Sequence, residues 1–370
     1  MTIEDIALTM TPGIGVKGVV HLLECFGDAR QVFAASEELL TDRAELRPDL
    51  ARRIARRSAM PAAEREWNYC RKHGLTAVAS TDPEYPPLLR EIPDYPHVLY
   101  VRGDVAALSM RCVSIVGTRE ATPYGQRMCG ELVRGLAERV PGVCIVSGLA
   151  FGIDVAAHRA ALAAGAKTVA VVANALPDVT PAQHEPVARD IVAAGGAIVS
   201  ELHAQVKQKG TFYLARNRII AALSAGTVVV ESPCAGGSLM TAHCADGYDR
   251  SVMAVPGRAV DAASKGPNLL IRNKKAQLVL SAEDIVSELM WDLGPAGAGP
   301  RSTGQSPCLT ADEAGLLACF RSSDPVSTEE LGALCGLGTC EMSVLLLGLE
   351  MAGAVRQLPG NRYIRLMDNL

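Results

Sequence analysis

The run Lys207-Gln208-Lys209-Gly210-Thr211-Phe212-Tyr213-Leu214-Ala215-Arg216-Asn217-Arg218-Ile219-Ile220 places four cations around two adjacent aromatics, and no acidic residue occurs from Leu202 through Val230. Cations interleaved with aromatics suit a single-stranded nucleic acid. Phosphates pair with Lys and Arg, while unstacked bases lie on the rings at about 1–3 kcal/mol per base without demanding a sequence. A solvated basic turn capping a helix has the same composition, and this run alone leaves both readings open.

Other segments are built to receive an anion. Ser114-Ile115-Val116-Gly117-Thr118-Arg119 ends an apolar run, and a helix is expected to begin near Tyr124-Gly125. Gly117 lets a ligand approach the backbone, the helix start favours negative charge, and Arg119 can grip a phosphate with two N–H groups. This is not the GxGxxG fingerprint, which argues against NAD or FAD, and no cofactor is expected. Ser147-Gly148-Leu149-Ala150-Phe151-Gly152-Ile153-Asp154 is a second small-residue turn entering a helix, with Gly148 at the close approach and Asp154 placed as an N-cap. Glu231-Ser232-Pro233-Cys234-Ala235-Gly236-Gly237-Ser238-Leu239-Met240-Thr241-Ala242 is a strand end, a Gly-Gly turn and a helix opening with Ser238 and Thr241. Lys265-Gly266-Pro267-Asn268-Leu269-Leu270-Ile271-Arg272-Asn273-Lys274-Lys275 reads as a further basic loop, with nothing negative from Ala262 to Ala282. Several such loops at one end of one sheet make a groove, more than a single pocket needs.

The elements that must position them alternate. Strands are expected at Val113–Val116, Cys144–Ser147, Thr168–Ala173, Ala197–Ser200, Thr227–Glu231 and Val252–Val255, several of them continuous β-branched runs of the kind covered on both faces. Helices fit between them at Gln126–Arg139, Val155–Ala164, Glu185–Ala194, Asn217–Ala225 and Leu239–Ala245. The result is an α/β, Rossmann-like, doubly wound sheet over 74–291, whose ligands belong at the carboxyl ends of the strands. Leu223, Val228 and Val229 read as core.

Residues 1–71 read as helices, with Thr11-Pro12-Gly13-Ile14-Gly15-Val16 between the first two. A Gly-apolar-Gly turn of this kind is the helix-hairpin-helix (SAM-like) pattern, which can hold a phosphate or simply pack two helices. Residues 292–308 are a Gly/Pro-rich linker. Residues 309–370 have a winged-helix outline: a helix, the capping box Ser327-Thr328-Glu329-Glu330, a helix to Cys335, a Gly336-Leu337-Gly338 turn, a third helix from Cys340 to Met351, and a β pair over Val355–Arg365. The third helix carries Glu341 and Glu350 and no Lys or Arg, so a major groove would repel it, and the domain is expected to be a protein-contact or packing module instead.

The net charge of -4 means that any nucleic-acid site must come from local arrangement. Eleven cysteines are scattered, many in apolar runs such as those of Cys112, Cys144 and Cys319, with no CxxC pair and no zinc spacing, so reduced buried thiols are expected. No basic-then-apolar leader and no apolar run of spanning length appear, which leads to an expected cytoplasmic location with no membrane partner.

Val116-Gly117-Thr118-Arg119, the Ser147–Asp154 turn, Arg216-Asn217-Arg218-Ile219-Ile220-Ala221, Gly236-Gly237-Ser238 with Thr241-Ala242, and Ala254-Val255-Pro256-Gly257 together resemble the signatures of the DNA-processing protein A (DprA or Smf) family. Tyr85-Pro86-Pro87-Leu88-Leu89 and Pro96-His97-Val98-Leu99-Tyr100 match too, all in family order. The resemblance implies an extended Rossmann domain that binds single-stranded DNA without catalysis, often as a homodimer. It further implies loading of the RecA recombinase onto incoming DNA in natural transformation. Carried over by position, the strand site would include Arg119, Lys209, Phe212, Arg216, Asn217 and Arg218, then Ser238, Thr241 and Asn268, with Gly117 and Gly148 at the backbone approaches. Two departures stand out: Ala173-Asn174-Ala175-Leu176-Pro177-Asp178-Val179-Thr180-Pro181 replaces a Gly-rich Tyr-Pro turn, and Lys274-Lys275-Ala276 replaces a Gly-Ala.

The rival class is an enzyme. Rossmann-like nucleotide phosphoribohydrolases also place a Gly-Gly turn after a strand-end Glu, and Glu231 could act there on nucleoside monophosphates. Against this, no acid/base pair, Ser-His-Asp or Cys-His spacing or metal set is apparent, and His158, His184, His203 and His243 lack an evident carboxylate partner. A nucleotide-sensing regulator would need a closed pocket.

Overall fold

A computed structural model describes residues 1–206, 209–291, 310–320, 326–335, 338–351, 354–358 and 362–365. Lys207, Gln208, the linker read at 292–308 and the Gly336-Leu337 part of the third-domain turn lie outside the described residues. The chain forms two compact units, Met1–Gly294 and Pro295–Leu370. Among the described residues, no helix is long and apolar enough to cross a membrane.

Six helices open the first unit: α1 (Ile3–Met10), α2 (Val16–Phe26), α3 (Ala29–Ala34), α4 (Glu37–Ala44), α5 (Pro48–Ala55) and α6 (Met60–His73). Their apolar stripes meet in a core of Ile6, Leu22, Val32, Leu40 and Ile54, all below 1% exposed. Gly13 makes the turn before α2 at φ 92°, a backbone region costly for other residues, and Arg53 donates to the Pro12 carbonyl at 2.8 Å. Asp5 has two jobs. It completes a capping box with Thr2 at the start of α1, and its Oδ1 lies 3.0 Å from His97 Nε2 in the following segment. Burial pushes the Asp5 carboxyl up, but the His97 and Thr2 hydrogen bonds outweigh it and hold the group below its ordinary value.

The remainder of the unit is β1 (Thr76–Ala79), α7 (Pro87–Arg90), β2 (Val98–Gly103), β3 (Arg111–Val116), α8 (Pro123–Arg139), β4 (Val143–Ser147), α9 (Ile153–Ala163), β5 (Lys167–Val171), α10 (Glu185–Ala193), β6 (Ala197–Ser200), α11 (Thr211–Ala222), β7 (Gly226–Val229), α12 (Gly237–Gly247), β8 (Ser251–Ala254), α13 (Lys265–Arg272), β9 (Gln277–Leu278) and α14 (Ala282–Glu288). One nine-stranded sheet runs β1-β2-β6-β5-β4-β3-β7-β8-β9, parallel from β6 to β9, with β1 and β2 added antiparallel at one edge. The six expected strands are all present, and β1 and β2 at one edge and β9 at the other extend the sheet beyond them. Alternate residues of the central strands feed two cores: Val113, Ile115 and Ile145 pack with α8, α9 and α14, while Cys112, Cys144 and Val229 pack with α11 and α12. Leu223, Val228 and Val229 are buried.

Two segments read as loops are helices. α11 begins at Thr211, six residues before the expected Asn217, and Lys265–Arg272 is α13. Pro267 sits in the first turn of α13, where its missing N–H costs no hydrogen bond, so the Gly266-Pro267 pair starts the helix instead of breaking it. Asp154 is likewise not the N-cap of α9. That position is Gly152, whose φ of 75° only glycine adopts freely, and Asp154 lies inside the first turn.

The second unit holds α15 (Ala311–Ala318), β10 (Val326–Ser327), α16 (Thr328–Cys335), α17 (Thr339–Met351), β11 (Val355–Leu358) and β12 (Arg362–Arg365), with sheet order β10-β12-β11. Leu316, Phe320, Leu331, Leu346 and Leu349 form its core. The Ser327/Glu330 capping box is made, with Ser327 Oγ accepting from the Glu330 amide and the Glu330 carboxylate from the Ser327 amide.

His158 tests the burial under the sheet. Its Nδ1 faces Thr168 Oγ1 at 2.7 Å, and that hydroxyl donates to the Ile145 carbonyl, so Nδ1 carries the proton. Burial, then the nearby His184 and Arg216, lower its pKa from 6.5 to about 3. The unfolded chain therefore takes up a proton on acidification that the folded chain refuses, and stability falls between those values by up to about 1.4 kcal/mol per pH unit. Denaturant titrations from pH 7 to pH 4 should show a shallower loss for His158→Asn than for wild type; parallel curves would refute this burial effect.

Candidate nucleic-acid interface

The strand order reverses between β3 and β7. The chain steps outward from β3 through β4 and β5 to β6, then returns to the far side of β3 as β7. The loops leaving the carboxyl ends of these two neighbours diverge, and the crevice between them is the ligand position of doubly wound sheets. It holds a cavity of about 470 Å³ lined by, among others, Gly117, Arg119, Tyr213, Arg216, Asn217, Ser238 and Thr241. Residues from the loops after β3 and β7 and from helices α11 and α12 thus meet in one place.

Arg216 forms the floor of this crevice. It is only 6% exposed; its Nη1 donates to the Val171 carbonyl at 2.6 Å, while its buried Nε has no partner among the described residues. Burial lowers the guanidinium's pKa, the charge of Asp154 opposes that, and Arg119 adds to it. Burial raises the Asp154 carboxyl in turn, against the pull of Arg216 and of hydrogen bonds from the Ala150 amide, Ser147 and the Gly148 amide. Gly148 is required here, because a Cβ at this position would overlap both Arg216 Nη1 and Asp154 Oδ2.

Arg119 is exposed above this floor, its guanidinium carbon 5.3 Å from the centre of the Tyr213 ring. On the opposite wall α12 opens at Gly237 with no side-chain cap, so its first-turn amides present positive dipole to the crevice. Asn217 Nδ2 donates to the Gly237 carbonyl at 3.2 Å, and Ser238 Oγ to Ser232 Oγ at 2.9 Å, which tie that wall to α11 and to the strand end.

Helical periodicity divides the basic run. Tyr213, Arg216, Asn217 and Ile220 lie on the crevice side of α11, whereas Phe212, Ala215 and Arg218 line a separate cleft of about 770 Å³ shared with the first turn of α2. Arg218 is buried, donates to Glu201 and lies 3.6 Å from Asp94, which also accepts from Tyr248 at 2.8 Å. Lys209 is exposed at the approach to α11 and does not line the crevice. Asn268 lies apart from it on α13, where Nδ2 donates to the Gly257 carbonyl at 2.9 Å and Oδ1 accepts from the Gly257 amide at 3.1 Å. Tyr213 is the crevice residue that sequence reasoning did not single out; the spacing of i, i+3, i+4 and i+7 from it through Ile220 would have found it once the helix start was placed. In the divergent 173–181 loop, Asn174 Nδ2 donates to the carbonyls of Ala175 and Asp178, closing the loop on itself.

Glu231 is buried at the end of β7, and its carboxylate accepts from the Thr122 amide at 2.9 Å and the Thr122 hydroxyl at 2.5 Å. It does not line the crevice. His184 Nδ1 faces the Leu149 carbonyl at 2.7 Å and His158 faces Thr168, so neither is paired with a carboxylate.

Fold and site together define an extended Rossmann-like protein with an open, cation-floored crevice at its switch point, carrying a helical segment before it and a small winged-helix unit after it. The family model for DNA recombination-mediator protein A matches residues 76–290, and that for the DprA winged helix domain matches 300–361. The chain belongs to the DprA/Smf family. It is 37% identical to Protein Smf of Escherichia coli over 288 residues, covering 76% of this chain and 75% of that one. It is also 37% identical to DNA processing protein DprA of Bacillus subtilis over 220 residues, covering 59% and 73%. Among solved structures, DprA of Streptococcus pneumoniae superposes with a TM-score of 0.68 at 29% identity, covering 78% of this chain and 98% of that one. The Helicobacter pylori DprA structure, described as showing a single-stranded DNA binding mode, has a TM-score of 0.52 at 28% identity, covering 60% and 97%.

The packing of Gly148 against Arg216 sets an expectation. Gly148→Ala should displace the guanidinium and destabilise the first unit by about 1–3 kcal/mol, read as a lower urea midpoint; an unchanged midpoint would mean the floor is loosely packed.

Proposed function

We propose that this protein binds single-stranded DNA without cutting it, in the crevice at the switch point, and passes the strand to RecA recombinase. The observation that carries this reading is the meeting of two guanidiniums, Arg119 and Arg216, with one aromatic ring, Tyr213, beside the uncapped start of α12. Phosphates fit the cations and the helix start, and a base fits the ring. The binding mode described for the Helicobacter pylori relative supports the same ligand class. A homodimer and a protein-contact role for the winged helix complete the proposal.

The hydrolase alternative needs a carboxylate free to act beside a ribose. Glu231 is engaged by both hydrogen-bonding groups of Thr122 and stands outside the crevice, which favours non-catalytic binding.

Fluorescent oligo-dT titrated across a salt series tests the reading, with an equal-length duplex as competitor. The single strand should bind more tightly, and Arg119→Ala should lower the salt slope by about 1. Tyr213→Ala should weaken binding by about 1–3 kcal/mol with the slope nearly unchanged. Wild-type behaviour of both variants would remove the crevice as the binding site.

Within the basic run, Arg218→Ala should act on stability. It leaves Glu201 buried without its cation, a loss of about 3–5 kcal/mol for a broken buried pair, seen as a lower urea midpoint. Removal of residues from Leu309 onward should leave strand binding largely intact, and a large loss would assign the winged helix a direct DNA contact.

A further inference from the structure

We infer that Glu231 is the positioning residue that holds Arg119 in the crevice, an inference resting on the proposed DNA-binding role of that crevice. Arg119 lies on the connection between β3 and α8. Both ends of that connection are tied to the same residue. The Thr118 amide donates to the Glu231 main-chain carbonyl at 2.7 Å, and the Thr122 amide donates to the Glu231 carboxylate at 2.9 Å. The Thr122 hydroxyl donates to the other carboxylate oxygen at 2.5 Å, while the same Thr122 Oγ1 accepts from the Gly125 amide at 3.2 Å to cap α8.

The three residues between these ties are Arg119, Glu120 and Ala121. A span so short, fixed at both ends, has few conformations left. The geometry around it is equally restrictive. A Cβ at Gly125 would overlap the Glu231 carboxylate, and one at Gly152 would overlap the Thr118 carbonyl, which accepts from the Ile153 amide at 3.1 Å. A side chain that is 2% exposed, lies outside the crevice and gives both oxygens to one Thr therefore sets where an exposed guanidinium can stand. Fixing the backbone on either side of Arg119 before the strand arrives removes the loop-ordering part of the entropy that a phosphate contact costs.

Glu231 acts through Arg119, and a double-mutant cycle on oligo-dT binding tests that. The full chain is used, as Arg119→Ala, Glu231→Ala, the pair, Glu231→Gln and Thr122→Val. Glu231→Ala should weaken binding on the order of tenfold, the equivalent of about 1.4 kcal/mol, and lower the salt slope as Arg119→Ala does. The pair should bind no worse than Arg119→Ala alone. Glu231→Gln keeps one oxygen for Thr122 and should recover most of the affinity, while Thr122→Val should reproduce part of the loss. Losses that add, or a Glu231→Ala variant that is folded by its urea midpoint and binds like wild type, overturn the inference. If Arg119→Ala itself binds like wild type, the crevice reading fails instead. If Glu231→Ala does not fold, Glu231→Gln and Thr122→Val decide: a normal salt slope in both removes the positioning role.

Discussion

A guanidinium held away from water sets the terms for everything around it. Arg216 sits at 6% exposure under the crevice, and a buried charge persists only where the protein replaces the water it has lost. Here the replacement comes from two groups, the carbonyl at the end of β5 and the carboxylate of Asp154 in the first turn of α9, and the glycine at 148 leaves room for the guanidinium beside that carboxylate. Among the described residues the compensation is incomplete, since none of them partners Nε. The floor of the crevice therefore keeps positive character, and the strands, turn and helix that meet there are fixed by the need to hold it.

α11 is the element that joins this site to the rest of the unit. One side of it contributes the ring and guanidinium of the crevice, and the other contributes Arg218 to the network with Glu201 and Asp94. Two arginines separated by one residue thus have different partners, Arg216 a main-chain carbonyl with the charge of Asp154 nearby and Arg218 the carboxylates of Glu201 and Asp94. The basic appearance of the run overstates the charge offered to a ligand, because part of it is neutralised within the fold.

The parallel sheet was legible because its strands are short β-branched runs with small-residue turns after them, a pattern that only burial on both faces demands. β1 and β2 were not, since they lie among prolines and the pairing of β2 with β6, which carries β1 at the edge, is set by tertiary contact. The small-residue turns were legible through Gly117, Gly148, Gly236 and Gly237, but at Gly117 and Gly148 the missing side chain makes room for the protein itself, for Ile153 and the Glu231 carbonyl in one case and for Arg216 and Asp154 in the other. The division of the run from Lys209 to Arg218 was not, because the face a residue occupies depends on where the helix begins, and Gly210-Thr211 reads equally as a turn. Asn268 entered the expected site through the family resemblance, but its amide is occupied in holding the turn at Gly257.

The carboxylate of Asp5 has a consequence for how this chain can vary over time. By starting α1 and meeting His97 at once, it joins the opening helices to the sheet-bearing segment through a buried contact. A helical segment joined by a tether can be lost, exchanged or duplicated with little effect on its neighbour. One whose first helix shares a carboxylate with the adjoining sheet is inherited with it, and replacement of either would have to preserve an acid on one side and a matching imidazole on the other.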